Sequence, residues 1–66
     1  MGRNRRMKIK EHLEGCHRLT EAYRNHCEKI IEMVGPDNAQ MTMAIKRLAE
    51  LAQALDDFTQ RVYSTT

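Results

Sequence analysis

Apolar and small residues recur through the first half of the chain at alternating intervals of four and three residues. The positions are Ile9, Leu13, Cys16, Thr20, Tyr23, Cys27, Ile30 and Val34. Such intervals keep side chains on one face of an α-helix and are typical of the seam between two packed helices. The pattern therefore predicts a first helix over about residues 7–34.

The second half of the chain repeats the same intervals. Here the positions are Met41, Ala44, Leu48, Leu51, Leu55, Phe58 and Val62. A second helix is predicted over about residues 38–63, and its contact seam is expected at these positions.

The two patterns are separated by Gly35, Pro36, Asp37 and Asn38. Glycine accepts the left-handed conformation that often ends a helix, and proline cannot continue one. Asp37 followed by Gln40 resembles a capping box and predicts that the Asp37 carboxylate caps the second helix. Two helices of similar length joined by a short loop form an antiparallel hairpin, so the fold class is all-α.

Further apolar residues lie beside the two seams: Leu19, Ile31 and Met33 on the first helix, Ile45 and Ala52 on the second. A two-helix contact covers only a narrow stripe, and these extra residues need another neighbour to leave water. We expect two hairpins to pack as a four-helix bundle with two-fold symmetry, and these five residues to form its interface. A different protein with its own helices would satisfy the same requirement.

The composition agrees with a small helical domain that needs help to be stable. The chain has 66 residues, of which 41% are hydrophobic and 30% charged. A single domain of this size buries little surface, so a partner is expected to contribute. Neither a signal peptide nor an apolar run long enough to cross a membrane is evident, and we expect a cytoplasmic protein with reduced cysteines.

Cysteines and histidines raise the question of a metal or catalytic site. Cys16 and Cys27 lie roughly 16 Å apart along a helix at 1.5 Å per residue, too far to bond each other or to share a metal ion. His12 and Cys16 share a helix face, but only a second copy could complete a zinc site with them. A straight helical seam offers no concave pocket for catalysis. We therefore expect a non-enzymatic protein with no metal, no cofactor and no small-molecule substrate.

Positive charge is concentrated at the start of the chain. The first ten residues carry five basic side chains and no acidic one, whereas the remainder carries six basic and nine acidic residues. Residues 1–6 are expected to form a flexible basic arm ahead of a hairpin domain over residues 7–66. Clustered basic residues attract phosphates through counterion release. The residues predicted to bind RNA or DNA are Arg3, Arg5, Arg6, Lys8 and Lys10.

Two functions remain open at this point. One is a homodimeric regulatory protein that binds nucleic acid through its basic arm. The other is an adaptor, chaperone or inhibitor whose apolar helix face docks on a partner protein. No membrane-binding role is expected, because Met7 and Ile9 are the only apolar residues that could anchor the basic segment.

Overall fold

A computed structural model describes the backbone of residues 2–66 and the side chains of residues 4–66. Helix α1 covers Gly2–Val34, a single 3₁₀ turn covers Gly35–Asp37, and helix α2 covers Ala39–Thr65. The two helices pack against each other as an antiparallel hairpin, which confirms the predicted all-α fold. The elongated chain measures 55 × 15 × 10 Å.

Helix α1 begins earlier than the hydrophobic pattern indicated. The structure places residues 2–6 in the helix, although the sequence pattern assigned them to a flexible arm. The pattern could not detect this extension, because a polar segment carries no hydrophobic periodicity. Arginine favours helices, and none of the residues 3–6 is a glycine or a proline.

In the turn, the predicted role of Gly35 is confirmed, whereas the predicted cap of α2 is wrong. Gly35 has a φ of +64°, the left-handed conformation expected of a glycine that ends a helix. The cap of α2 is Asn38 rather than Asp37, since the Asn38 side-chain oxygen accepts a hydrogen bond from the Met41 backbone N–H at 3.0 Å. Asp37 belongs to the preceding 3₁₀ turn, which leaves Asn38 as the residue with a non-helical backbone just before α2.

The residues of α2 that face α1 are displaced by one position from the predicted seam. They are buried or half-buried and comprise Thr42, Ile45, Ala49, Ala52, Asp56, Thr59 and Tyr63. The seven residues of the predicted seam are all exposed. One residue corresponds to a rotation of about 100° around the helix. Most of the larger apolar side chains of α2 therefore lie beside the helix contact, whereas Ile45 lies within it.

Helix α1 keeps half of its predicted seam in the contact. Leu13, Thr20, Cys27 and Val34 are buried or half-buried, whereas Ile9, Cys16, Tyr23 and Ile30 are exposed. The other contact positions of α1 are taken by Lys10, His17, Arg24 and Ile31, each one residue further along the chain.

Small and polar side chains explain why this rotation suits a hairpin. Thr20 and Ala52 are both buried, and their small size allows the helix backbones to approach closely. Asp56, only 1% exposed, points toward His17 and Arg24 of α1, which satisfy its charge. The middle of the hairpin contact is thus built from small residues and an ion-paired carboxylate.

Replacing Asn38 with alanine is expected to lower the free energy of unfolding by about 1 kcal/mol, because it removes the side-chain acceptor that caps α2. Asp37→Ala is the matched control and should change stability less, since the side chain that caps α2 is that of Asn38 and not that of Asp37. Urea denaturation followed by circular dichroism measures both. An equal loss in the two variants would contradict the assignment of the cap.

Candidate functional site

One side of the hairpin carries a continuous row of exposed apolar residues, which we call the open apolar face. Its central members are well exposed: Leu19 is 72% exposed, Leu55 61% and Phe58 60%. The full set is Ile9, Cys16, Leu19, Tyr23, Ile30, Met33, Met41, Ala44, Leu48, Leu51, Leu55, Phe58 and Val62. A patch of this extent on a small protein is typical of surfaces that bind another protein.

The geometry of antiparallel helices brings the two rows onto the same side. On both helices the exposed apolar positions come one residue before the contact positions, a rotation of about −100°. Because the helices run in opposite directions, equal rotations along each chain turn both rows toward the same side of the hairpin. Cys16, Leu19 and Tyr23 of α1 accordingly line one groove with Ala52 and Leu55 of α2.

The opposite side of the hairpin is polar. Tyr63 donates a hydrogen bond across it from its hydroxyl to Glu14 Oε1 at 3.1 Å, which raises the pKa of Tyr63 above its ordinary value. Gln53 and Asp57 are hydrogen-bonded there as well, at 2.9 Å. Met43 is one exception, a 71% exposed apolar residue among polar neighbours. The hairpin is thus amphipathic as a whole.

A groove of about 350 Å³ opens at the middle of the open apolar face. Its floor is formed by the small buried residues Thr20 and Ala52, and its walls by the more exposed Leu19, Tyr23 and Leu55. Small residues at the helix contact therefore leave a depression between larger neighbours. Its lining is almost entirely apolar, so the groove suits aliphatic or aromatic side chains.

A polar cluster around the buried Asp56 joins the two helices at their contact. The His17 Nδ1 donates to Asp56 Oδ1 at 2.8 Å, and Gln60 Nε2 donates to Asp56 Oδ2 at 3.1 Å. The Arg24 guanidinium lies 3.5 Å from Asp56 Oδ2 and also donates to Gln53 Oε1. The hydrogen bond from His17 lowers the pKa of Asp56 more than burial raises it, with a further contribution from Gln60. These contacts hold the Asp56 side of α2 against α1.

The structure divides the five residues predicted to form the dimer interface. Leu19 and Met33 lie on the open apolar face, 72% and 85% exposed. Ile31 and Ile45 are half-buried and Ala52 is buried, all three at the contact between α1 and α2. These three side chains stabilise the hairpin itself, because the helices are rotated relative to the predicted seam.

The basic residues lie at the end of the molecule where α1 begins and α2 ends. Arg5, Arg6 and Lys8 are exposed, and Lys10 is half-buried with its ammonium 4.9 Å from the centre of the Tyr63 ring. Among residues 4–66, none of these four basic side chains forms an ion pair. The side chain of Arg3 lies outside the described residues.

Both cysteines are free thiols, Cys16 exposed on the open apolar face and Cys27 buried between the helices. Within residues 2–66, neither helix combines the length and the apolar character needed to cross a membrane.

The sequence pattern missed the groove and the Asp56 cluster. Asp56 directly follows Leu55, a residue of the predicted seam, and the hydrophobic pattern does not place it at the helix contact. A detectable signal was present, since the positions one residue after the seam of α2 are mostly small or polar: Thr42, Ala49, Ala52, Asp56 and Thr59.

The fold and the open apolar face together define an amphipathic helical hairpin with one polar and one apolar side. No protein-family model matches the chain, no curated protein is significantly similar to it, and no solved structure resembles it at a significant level.

Acid should weaken the hairpin through Asp56. Its pKa in the folded chain lies below the ordinary value of 3.8, so its stabilising contribution is complete above about pH 4 and is lost as the pH falls through the lowered pKa. Asp56→Asn should lower the melting temperature at pH 7 and make the decline between about pH 4 and pH 2 shallower. Circular dichroism melts at a series of pH values measure both effects.

The neighbouring Asp57→Asn provides the control, because Asp57 is exposed and its hydrogen bond within the described residues is to Gln53 of its own helix. It should retain the natural melting temperature at pH 7 and the natural acid dependence. A shallower acid decline in D57N than in D56N would show that Asp56 does not join the helices.

Proposed function

We propose that the chain is a non-enzymatic interaction module that forms a homodimer, with two hairpins packed as a four-helix bundle through their open apolar faces. The observation that carries this proposal is the row of large exposed apolar side chains on a single side of the hairpin. Water contact at so many leucine and aromatic side chains is unfavourable by about 25 cal/mol per Å².

The exposed area supports a partner of substantial size. A compact monomer of 7.7 kDa exposes about 4,300 Å², whereas this chain exposes 5644 Å². The excess, roughly 1,300 Å², is larger than the ~800 Å² that each partner contributes to a standard interface. Among residues 4–66, Cys27 and Ala52 are the only hydrophobic residues that are buried, so the isolated hairpin has almost no core of its own.

A four-helix bundle also accounts for the seam predicted in α1. In the hairpin, half of that seam faces α2 and the other half lies on the open apolar face. A second pair of helices on the open side would place both halves at the centre of the bundle, because each helix then has two neighbours about 90° apart. The eight seam residues of α1 fit the core of such a bundle.

Placing a charge on the open apolar face should separate the dimer. Leu19→Glu is expected to shift the dimer toward monomer, with at least a tenfold weaker association measured by sedimentation equilibrium. Met43→Glu is the matched control, because Met43 is 71% exposed but lies on the polar side. It should leave the association unchanged.

Two results would count against this assignment. Equal weakening in L19E and M43E would mean that the open apolar face is not the interface. A natural chain that stays monomeric at all concentrations would instead favour the other use of the same face, docking on a different helical protein as an adaptor, chaperone or inhibitor.

Nucleic-acid binding is the second candidate function, and the exposed basic end of the hairpin favours it. Arg5 and Arg6 are exposed on adjacent positions of α1, and Lys8 follows within one turn. Charged groups that lack a protein counter-ion are available to phosphates. Under this proposal the homodimer is a cytoplasmic regulatory protein that binds RNA or DNA through Arg3, Arg5, Arg6, Lys8 and Lys10.

Triple replacement of Arg3, Arg5 and Arg6 by alanine should abolish retention on an oligonucleotide column and leave the circular dichroism spectrum unchanged. In the natural chain, retention should weaken steeply as salt rises, because phosphate contacts release counterions. Arg18→Ala and Arg47→Ala together are the control, since both residues are exposed and distant from the basic end. Unchanged retention of the triple variant would eliminate nucleic-acid binding by this segment.

A further inference from the structure

Two hairpins can stack through their open apolar faces in two ways that preserve two-fold symmetry. In a parallel dimer, both turns lie at the same end and each α1 packs over α2 of the other copy. In an antiparallel dimer, the turn of one copy lies beside the chain termini of the other, and each α1 packs over the other α1. The two arrangements bring different residues and charges together.

We propose that the open apolar face binds a second copy of this chain in the antiparallel arrangement, with the two-fold axis at the central groove near Leu19. This inference rests on the homodimer of the proposed function and adds its orientation. Three features of the structure support it: the charge at the two ends, the pairing of residues along α1, and the position of the groove.

The distribution of charge disfavours the parallel arrangement. The first ten residues carry five positive charges, and a parallel dimer would place two such segments at the same end of the bundle. At the turn end, residues 28–47 hold three acidic and three basic side chains and are neutral overall. The antiparallel dimer sets each basic end beside a neutral end, which avoids repulsion that salt does not fully screen at short range.

Near the middle of α1, residues of similar character come level with one another about an axis at Leu19. His12 comes level with His26 of the partner subunit, and Leu19 comes level with its own counterpart. Cys16 comes level with Ala22 of the partner subunit, another small residue. An imidazole pair can share a hydrogen bond, whereas the parallel arrangement would set His12 beside apolar residues at the end of α2.

The groove lies at the position of the proposed two-fold axis, where the two copies must be in contact. Its lining residues are centred close to the middle of each helix, at Leu19 and Thr20 of α1 and at Leu55 of α2. The grooves of the two copies therefore face each other at the centre of the dimer. The large wall residues Tyr23 and Leu55 of each copy fill the volume above the small floor residues of the other.

Distances between spin labels on the two copies distinguish the arrangements. Single cysteines for labelling are introduced by Ser64→Cys or by Gln40→Cys, both at exposed positions, in a background of Cys16→Ser and Cys27→Ala. At 1.5 Å per residue, the antiparallel dimer predicts separations of about 30 Å and about 40 Å respectively. The parallel dimer predicts about 15–20 Å for both, because the labels then lie on diagonal helices at the same level.

Disulfide cross-linking gives a second measurement that does not need the double background. A chain that carries Cys16→Ser together with Leu19→Cys should oxidise to a covalent dimer, because the two introduced cysteine side chains meet at the two-fold axis. Met33→Cys is the matched control, equally accessible and on the same row, but its two copies lie roughly 40 Å apart in the antiparallel dimer.

Long separations at both labels, with cross-linking at position 19 and none at position 33, support the antiparallel dimer. A stable dimer with either separation near 15–20 Å overturns the orientation and leaves the homodimer standing. A natural chain that sediments as a monomer at all concentrations overturns both. Sedimentation of the unlabelled background and of the natural chain therefore accompanies the distance measurements.

Discussion

The carboxylate of Asp56 sets the rotation of α2, and the shape of the hairpin follows from that rotation. Asp56 is almost completely buried between the helices, where His17 and Arg24 of α1 and Gln60 of its own helix satisfy it. Turning α2 by one residue to bury Leu55 would move this charged group away from its partners. The leucines of α2 are therefore left on the open side.

Burying small and polar residues inside the hairpin gives the molecule two different sides. One side carries polar groups that hydrogen-bond across the helices, such as Tyr63 with Glu14. The other side carries the large apolar residues and the central groove. A free-standing hairpin would be expected to bury its largest apolar side chains first, so this distribution is typical of a subunit that completes its core by association. The proposed four-helix bundle rests on that distribution.

The basic end and the open apolar face are separate parts of the surface, so the two proposed activities do not compete for the same residues. Arg5, Arg6 and Lys8 lie at one end of the hairpin, whereas the groove lies at its middle. In an antiparallel dimer the basic segments would occupy opposite ends of the bundle. Such a dimer would present two separate phosphate-binding ends and not a single combined patch.

The sequence by itself determined the helices, the turn and the antiparallel hairpin. Intervals of three and four residues define helix faces, and Gly35 and Pro36 can only interrupt them, so these features depend on local chemistry. The sequence also indicated surplus apolar residues that need a further neighbour. It could not show where α1 begins, because the polar segment before Met7 carries no hydrophobic signal.

Only the tertiary structure decided which face of each helix turns inward. Neighbouring rows on a helix differ by one residue, and hydrophobicity alone favours the more apolar row of α2 as the contact. The choice instead depended on Thr20 opposite Ala52, and on Asp56 opposite His17 and Arg24, pairs that lie more than thirty residues apart in the chain. Hydrophobic periodicity reports how apolar each row is, whereas close backbone approach and charge pairing exist only once two helices meet.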